Sequence, residues 1–321
     1  MRLRFHMFGT CNTTMSCTTV PAPLHLISAL IMCAKSFAVV LEHDLGMCLS
    51  CGVLVVTAAT IHHMCPATYS TVCLLVPLYL ICSSIFSGYI PSLTVALMIG
   101  PVTVGVIGGA MSVCLHRYFA HRAFETDRIT QCCLGIFACL AFQGPPLWWA
   151  AMHSKHHTFC DAPQDPHSVS QQGFGYAFLG WMLNPINYVE SPFASRRIQA
   201  LFDTPEMRAV EALFFVPPIF ACCCGAWAFG YHTMLLLVLL PMVLCRLITT
   251  LFNVEYHPVN PSKTMCKSVD NARFLARIVG ESQHESHHTH PRRAYRRDWD
   301  LPYWMMLWPL NLAGVIWNCQ V

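Results

Sequence analysis

The sequence contains two long stretches without a charged side chain. No Asp, Glu, Lys or Arg occurs from Leu45 to His116, a run of 72 residues, or from Ala212 to Cys245, a run of 34 residues. A helix needs roughly 20 apolar residues to cross a bilayer, so both stretches are long enough to enter a membrane. Only 11% of the 321 residues are charged and the net charge is +3. These values exclude a disordered chain and argue against a nucleic-acid partner.

Four apolar segments have the length of a membrane-spanning helix, namely residues 69–88, 92–115, 210–230 and 233–254. The segments pair into two hairpins, and each hairpin returns the chain to the side it left. Two polar blocks, 116–208 and 255–300, therefore face one compartment. They hold 15 of the 19 Lys and Arg residues, so the positive-inside rule places them in the cytoplasm. The predicted fold is an all-α integral membrane protein with four transmembrane helices as two hairpins and a cytoplasmic histidine-rich cap.

The sequence divides into an N-terminal region, residues 1–60, and a main domain, residues 61–321. The first region is interpreted as one extra span, at residues 45–61 or more weakly at 21–41, or as a targeting segment. In the main domain, the apolar residues 129–142 would make a helix of only about 21 Å, and Gln143-Gly144-Pro145-Pro146 interrupts it. We expect an interfacial or re-entrant helix there.

Histidine provides the strongest chemical pattern. Nine of the 17 histidines follow three spacings beside the predicted spans: H-x-x-x-x-H once, H-x-x-H-H twice, and one histidine after the fourth span. They are His116 and His121; His153, His156 and His157; His284, His287 and His288; and His257. Imidazole suits iron, zinc, copper and nickel, and nine imidazoles exceed the coordination of one ion, so two metal ions are predicted.

Helical geometry gives two further expectations about these histidines. Positions i, i+3 and i+4 fall within an arc of about 100°, so each H-x-x-H-H should point its three imidazoles at one centre. Positions i and i+5 are about 140° apart on an α-helix, so His116 and His121 should not share one metal face unless the helix ends between them. They are expected to flank a pair of metals instead. The isolated His290 is expected to be solvated, and the 19 scattered cysteines predict no disulfide framework.

The three histidine boxes resemble those of the membrane-bound fatty acid desaturases, in particular the acyl-CoA (stearoyl-CoA, Δ9-type) branch. The matching segments are His116-Arg-Tyr-Phe-Ala-His121, His153-Ser-Lys-His-His157, Asp165-Pro166-His167, Asn253 with His257, and Gly280-Glu281-Ser-Gln-His284-Glu-Ser-His-His288. The resemblance implies a non-haem di-iron centre held by the nine histidines, with Asn253 near one iron through a water. It also implies that Gln143 and Trp149 line the acyl-binding site. No catalytic residue beyond the metal ligands is predicted. An interfacial aromatic anchor is the alternative for Trp148-Trp149.

The sequence departs from that branch where its relatives contact coenzyme A. An Arg-Asp pair expected before the second box is replaced by Ala151 and Met152, and basic residues after a Gly-Trp motif are replaced by Asn184-Pro185. A phosphate-rich head group loses charge-assisted bonds without cations to meet it. Both acyl-CoA and acyl-lipid therefore remain candidate substrates.

No fused electron donor is expected, because this sequence shows no haem-binding motif, dinucleotide fingerprint or ferredoxin cysteine spacing. The resemblance implies cytochrome b5 or a ferredoxin as the donor. The basic residues Arg292-Arg293 and Arg296-Arg297 suit an acidic carrier, although the positive-inside rule alone also explains them. The resemblance favours the endoplasmic reticulum, with a plastid or the bacterial inner membrane as alternatives.

Other functions fit the pattern less well. A hydroxylase with the same boxes stays open, because hydrogen abstraction followed by oxygen rebound differs only in the fate of the radical. His284-Glu285-Ser-His-His288 also matches the H-E-x-x-H signature of zinc proteases, but that site leaves six of the nine histidines unused. A carboxylate di-iron bundle needs inward carboxylates that the spans lack. A metal transporter places its ligands near the middle of the membrane rather than at the ends of the spans.

Overall fold

A computed structural model describes Met32 and residues 47–189, 195–260, 262 and 266–320. The described chain is mostly helical. Its longer helices are Met47–Met64, Pro66–Phe86, Leu93–Gly109, Arg128–Ala138, Pro146–Phe159, Pro205–Ala212, Val216–Phe229 and Leu240–Tyr256. The short helices are Val169–Gln172, Trp181–Leu183, Ile186–Val189, Arg196–Phe202, Tyr231–Met234, Phe274–Val279, His284–Thr289 and Trp308–Leu312. Four π-helical segments, Ala110–Ala120, Tyr176–Gly180, Leu235–Leu239 and Tyr303–Leu307, and the 3₁₀ turn Cys139–Ala141 connect them.

Within the described part of the chain, three helices are long and apolar enough to cross a membrane: Pro66–Phe86, Leu93–Ala120 and Tyr231–Tyr256. They correspond to the predicted spans 69–88, 92–115 and 233–254. Two bent helix pairs also pass the test of length and composition, which gives three to five candidate spans rather than a fixed four. The outer surface fits this assignment, because Leu97, Val102 and other large apolar side chains of the second helix are exposed.

The predicted third span, residues 210–230, is not a single helix. Pro205–Ala212 ends after Ala212, and Val216–Phe229 continues at an angle of 58°. Pro217 and Pro218 lie in the first turn of the second helix. Because proline has no N–H and clashes with the preceding turn, a helix tolerates it at its start and not in its interior. The two prolines explain why one continuous helix does not form there.

The interruption predicted at residues 143–146 is present. Helix Arg128–Ala138 passes into the turn Cys139–Ala141, and Phe142 and Gly144 have positive φ angles of 60° and 104°. The following helix, Pro146–Phe159, carries the second histidine box and is bent by 79° from the first. This geometry agrees with either a broken span or a re-entrant loop.

The N-terminal region is described only in part. Helix Met47–Met64 covers the extra span expected at residues 45–61, but its apolar part, Cys51–His63, is shorter than the three candidate spans. The weaker span expected at residues 21–41 and the targeting segment lie outside the described residues, apart from Met32.

Two clusters of buried apolar side chains pack the helices against one another. The larger surrounds the first two boxes and includes the fully buried Phe119, Leu147 and Trp148. The smaller lies between the candidate spans and includes Ile107 and Leu235. The only strands in the described chain, Glu125–Thr126 and Ile316–Trp317, pair antiparallel and attach the C-terminal segment beside the first box.

Candidate metal centre

The nine predicted histidines meet at one end of the helices in two groups. Within each group, one side-chain atom of every residue lies within 4.8 Å of the others. The groups are in contact, because the rings of His157 and His288 stack with centroids 4.1 Å apart. The five-histidine group contains His116, His121, His153, His157 and His287, and the four-histidine group contains His156, His257, His284 and His288.

The expectation that each H-x-x-H-H serves one centre was wrong. In the second box, His153 and His157 belong to the five-histidine group, whereas His156 belongs to the other. In the third box the division is reversed, with only His287 in the five-histidine group. Positions i and i+4 point in nearly the same direction, while i+3 points to the other side of the arc. Each box therefore contributes to both groups and links them rigidly.

The structure places His116 and His121 in one group, and their helix ends at Ala120, which is the condition under which the sequence allowed them to share a face. Residues Ala110–Ala120 form a π-helix, and the N–H of His121 donates to the carbonyl of His116, five residues earlier, at 3.1 Å. An i to i+5 bond places these residues one turn apart on the same face. The ring centroids are 4.9 Å apart, and both side chains enter the five-histidine group.

Carboxylates hold the nitrogen atoms that face away from the centre. The Nδ1 atoms of His116, His156 and His257 lie 2.9, 2.9 and 3.0 Å from oxygens of Glu281, Asp165 and Asp161, respectively. A carboxylate at Nδ1 fixes the ring orientation and favours the tautomer in which Nε2 is free to bind a metal. These three carboxylates were not predicted as functional, although Asp165 and Glu281 lie within the matched motifs.

Glu281 and a further carboxylate, Asp300, each pair with a buried arginine. Arg296 pairs with Glu281 and is only 6% exposed, so it does not belong to the exposed basic surface expected for an electron carrier. Arg117, fully buried, pairs with Asp300 at 2.7 Å. Gly280 permits this arrangement, because its φ is +73° and a Cβ there would lie 2.6 Å from the Asp300 carboxylate.

Burial and charge set the protonation of the site. Desolvation holds the pKa values of His284 and His287 well below the usual range, so these imidazoles are neutral at pH 7 and keep a lone pair for a metal. Burial opposes ionisation of Glu281, but the guanidinium of Arg296 and the imidazole of His116 outweigh it and lower the Glu281 pKa to about 2. Asp165 also has a lowered pKa, because His156 outweighs its burial. Neutral imidazoles backed by ionised carboxylates form a donor set that fits divalent iron.

A small cavity adjoins the histidines. Its lining includes the predicted substrate residues Gln143 and Trp149, the predicted water-mediated ligand Asn253, and also His153, His167, Trp181, Thr249 and Thr250. The Trp149 ring stacks on His153 with centroids 5.0 Å apart. Trp148 and Trp149 are 1% and 5% exposed, so the alternative of an interfacial anchor does not hold.

One feature beside the four-histidine group was not expected from the sequence. A disulfide joins Cys160 to Cys266 across 106 residues. Their sulfur atoms lie 3.6 Å from the Nδ1 atoms of His257 and His288, respectively. Only a spacing pattern of cysteines would have signalled such a bond, and a single pair offers none. His290, by contrast, is exposed as predicted.

The comparison with protein families agrees with the geometry. The family model described as fatty acid desaturase matches residues 92–312. The chain therefore belongs to the fatty acid desaturase family and is an oxidoreductase.

Several known proteins are similar to this chain. Hex-5-enoyl-(acyl-carrier protein) acetylenase from Moorena producens (strain JHB) is 28% identical over 254 residues, which cover 72% of this chain and 78% of that protein. Icosanoyl-CoA 5-desaturase from Limnanthes douglasii is 24% identical over 238 residues, 68% of this chain and 62% of that protein. Delta-9 acyl-lipid desaturase 1 from Arabidopsis thaliana is 37% identical over 100 residues, 31% of each chain. The match thus spans less than two thirds of the latter two relatives.

Proposed function

We propose that the chain, through a desaturase domain at residues 61–321, inserts a cis double bond into a saturated acyl chain. The reaction would use dioxygen and two electrons from an external donor. The observation that carries this proposal is the contact between two all-imidazole groups, one of which shares, through His153, a cavity with Gln143, Trp149 and Asn253. A protease, a carboxylate bundle or a transporter has no use for two all-imidazole groups in contact with each other.

Two iron ions are the metal content we propose, one for each histidine group. The five-histidine group would supply five nitrogen ligands and the four-histidine group four, and Asn253 would act on one iron through a water from the cavity that it lines. A bound di-iron pair supplies the strong oxidant needed to remove hydrogen from an unactivated methylene. The protein positions the Nε2 atoms through Glu281, Asp165 and Asp161, and burial of the imidazoles excludes water from the site.

We assign the acyl chain to the cavity beside His153. The Trp149 ring lies flat on the His153 ring, so a chain passing along it would lie close to the five-histidine group. The Gln143 amide donates to the carbonyl of Ala141 at 3.2 Å and lies 3.5 Å from the Thr249 hydroxyl. These contacts hold Gln143 in place in the wall of the cavity. A rigid wall favours one methylene over its neighbours, because position selectivity requires the chain to be held in one register.

For the carrier of the acyl chain, we favour acyl-lipid over acyl-CoA. Ala151 and Met152 occupy the second-box helix where a cation for the CoA phosphates was expected, and both are buried. The names of the similar proteins mention acyl-carrier protein, CoA and lipid. Membership of the Δ9-type acyl-CoA branch is therefore less well supported than membership of the wider family.

We propose that the histidine end of the protein faces the cytoplasm, with the endoplasmic reticulum as the favoured membrane and a plastid or the bacterial inner membrane as alternatives. Electrons would come from cytochrome b5 or a ferredoxin. Arg293 and Arg297 line a surface depression that reaches His287, and Arg292 nearby is exposed. A positive surface this close to a ligand suits an acidic electron carrier.

The test is product analysis in a desaturase-deficient host that expresses the chain. Fatty acid methyl esters, with double bonds located by dimethyl disulfide adducts, should reveal a monounsaturated product that depends on oxygen and on the chain. Protein with His156→Ala, present at the same level in the membrane, should yield none. A hydroxy fatty acid as the sole product would replace desaturation with the hydroxylase alternative, and separate analysis of lipid and CoA fractions identifies the carrier.

A further inference from the structure

The Cys160–Cys266 disulfide lies where it controls the surroundings of a metal ligand. Cys160 directly follows the second-box helix, Pro146–Phe159, and Cys266 lies on the segment between His257 and the third box. Both residues are half-buried, so a small thiol can approach the pair from the solvent side. Each sulfur contacts the Nδ1 side of one imidazole of the four-histidine group.

The residues next to the two cysteines form a second link between the same segments. The backbone N–H of Lys267 donates to Oδ2 of Asp161 at 2.8 Å. The same Oδ2 atom lies 3.0 Å from Nδ1 of His257. The disulfide therefore holds together the donor and the acceptor of a hydrogen bond that positions the Asp161 carboxylate, and this carboxylate in turn orients the His257 ring. Without the covalent bond, this orientation depends on that hydrogen bond and its neighbours alone.

A disulfide on the side we assign to the cytoplasm is unusual, because thiol-based reductants keep most cytoplasmic cysteines reduced. Those disulfides that do form there usually exchange with thiols and serve a redox role. Access of an attacking thiol is one requirement for exchange, and both cysteines are half-buried rather than enclosed.

We infer that Cys160 and Cys266 form a thiol–disulfide exchange site, with a dithiol as its substrate, and that its redox state sets how firmly the four-histidine group retains its metal. The thiolate of the dithiol attacks one sulfur, the Cys160–Cys266 bond breaks, and the other sulfur leaves as a thiolate. The second thiol of the dithiol then displaces the first cysteine. The protein gains two electrons and two protons as two thiols, and the dithiol becomes a disulfide.

Thiol trapping tests the exchange without any metal. Full-length protein in detergent is treated with dithiothreitol or with oxidised glutathione, alkylated, digested without reduction and analysed by mass spectrometry. The linked Cys160–Cys266 peptide should disappear in dithiothreitol, with two additional alkyl groups on the protein, and should return in oxidised glutathione. The inference is overturned if the pair stays linked in dithiothreitol under native conditions, or if the thiols never link in the oxidant.

Iron release tests the consequence, and this step rests on the proposed metal centre. Iron-loaded protein is mixed with a ferrous chelator, and we expect one of its irons to leave about threefold to tenfold faster after reduction. A Cys160→Ser/Cys266→Ser variant should release iron at the fast rate with or without dithiol. A Cys132→Ser/Cys133→Ser variant, changed on the helix Arg128–Ala138 at cysteines that belong to neither histidine group, should respond as the unmodified protein does. Equal rates for oxidised and reduced protein contradict the inferred control. Protein that binds no iron contradicts the metal centre instead, while thiol trapping still decides the exchange.

Discussion

Glu211 is expected to hold the second-box helix in place from a neighbouring helix. The helix Pro146–Phe159 cannot cap itself, because Pro145 has no capping side chain and Pro146 has no N–H. The two carboxylate oxygens of Glu211 instead accept from the N–H groups of Leu147 and Trp148 at 2.8 and 2.9 Å. Glu211 is 7% exposed, so both donors would lose their partner in a protected environment if the carboxylate were removed.

The size of the effect follows from these two bonds. A buried donor left without a partner costs about 1–3 kcal/mol, so Glu211→Ala should lower the free energy of unfolding by about 2–6 kcal/mol. The corresponding fall in Tm is roughly 5–15 °C. Glu211→Gln keeps one acceptor and should show about half the loss. Since the helix carries three of the nine ligands, we also expect Glu211→Ala to retain less iron than the unmodified protein.

The assay is thermal unfolding of the purified protein in detergent, followed by intrinsic fluorescence, together with iron content by elemental analysis. Glu206→Gln provides the matched control, because Glu206 lies on the same helix, Pro205–Ala212, and pairs at the surface with Arg128. Surface pairs contribute little, so the control should unfold as the unmodified protein does. A Glu211→Ala protein with the Tm and iron content of that control would refute the capping role.

Three further predictions concern the site and its orientation. Asp165→Asn exchanges the carboxylate that lies 2.9 Å from Nδ1 of His156 for a neutral amide. Metal titration should then show an affinity about 10–100-fold lower for the four-histidine group. Unchanged affinity would contradict the role of Asp165. Asn253→Ala should reduce product formation less than replacement of a histidine does, because a second water can fill the place of the amide; complete loss would indicate direct coordination. Epitope tags beside Ser170 and beside Ile90 should be accessible from opposite faces of the membrane, with Ser170 on the cytoplasmic face, and access from one face would mean that the hairpin assignment is wrong.

Features that depend on local composition could be predicted from the sequence. The absence of charged residues over a whole span is a local property of the sequence, and it located three candidate spanning helices to within a few residues. The interruption at Gln143-Gly144-Pro145-Pro146 was predictable for the same reason, because proline acts on its own turn of helix. The set of nine histidines also followed from spacing, and all nine converge.

Features that depend on packing between distant segments could not be predicted. The allocation of each histidine box to both groups depends on where the partner helices place their own imidazoles. The π-helix that brings His121 onto the face of His116 replaces the α-helical geometry that spacing arguments assume. The contacts of Glu281 and Asp161 with their histidines, the cap from Glu211 and the Cys160–Cys266 bond join residues 63 to 165 positions apart. No periodicity in a single sequence indicates such pairs.

Iron stoichiometry tests the central claim most directly, because the claim is that nine histidines form two metal sites and that neighbouring residues of one box serve different sites. His287 and His288 are adjacent in sequence but belong to the five-histidine and four-histidine groups, respectively. We expect about two irons per chain in the unmodified protein, and His287→Ala and His288→Ala should each lose iron from a different site, distinguishable by Mössbauer spectroscopy. Stoichiometric zinc without iron, or loss of the same iron in both variants, would contradict the account.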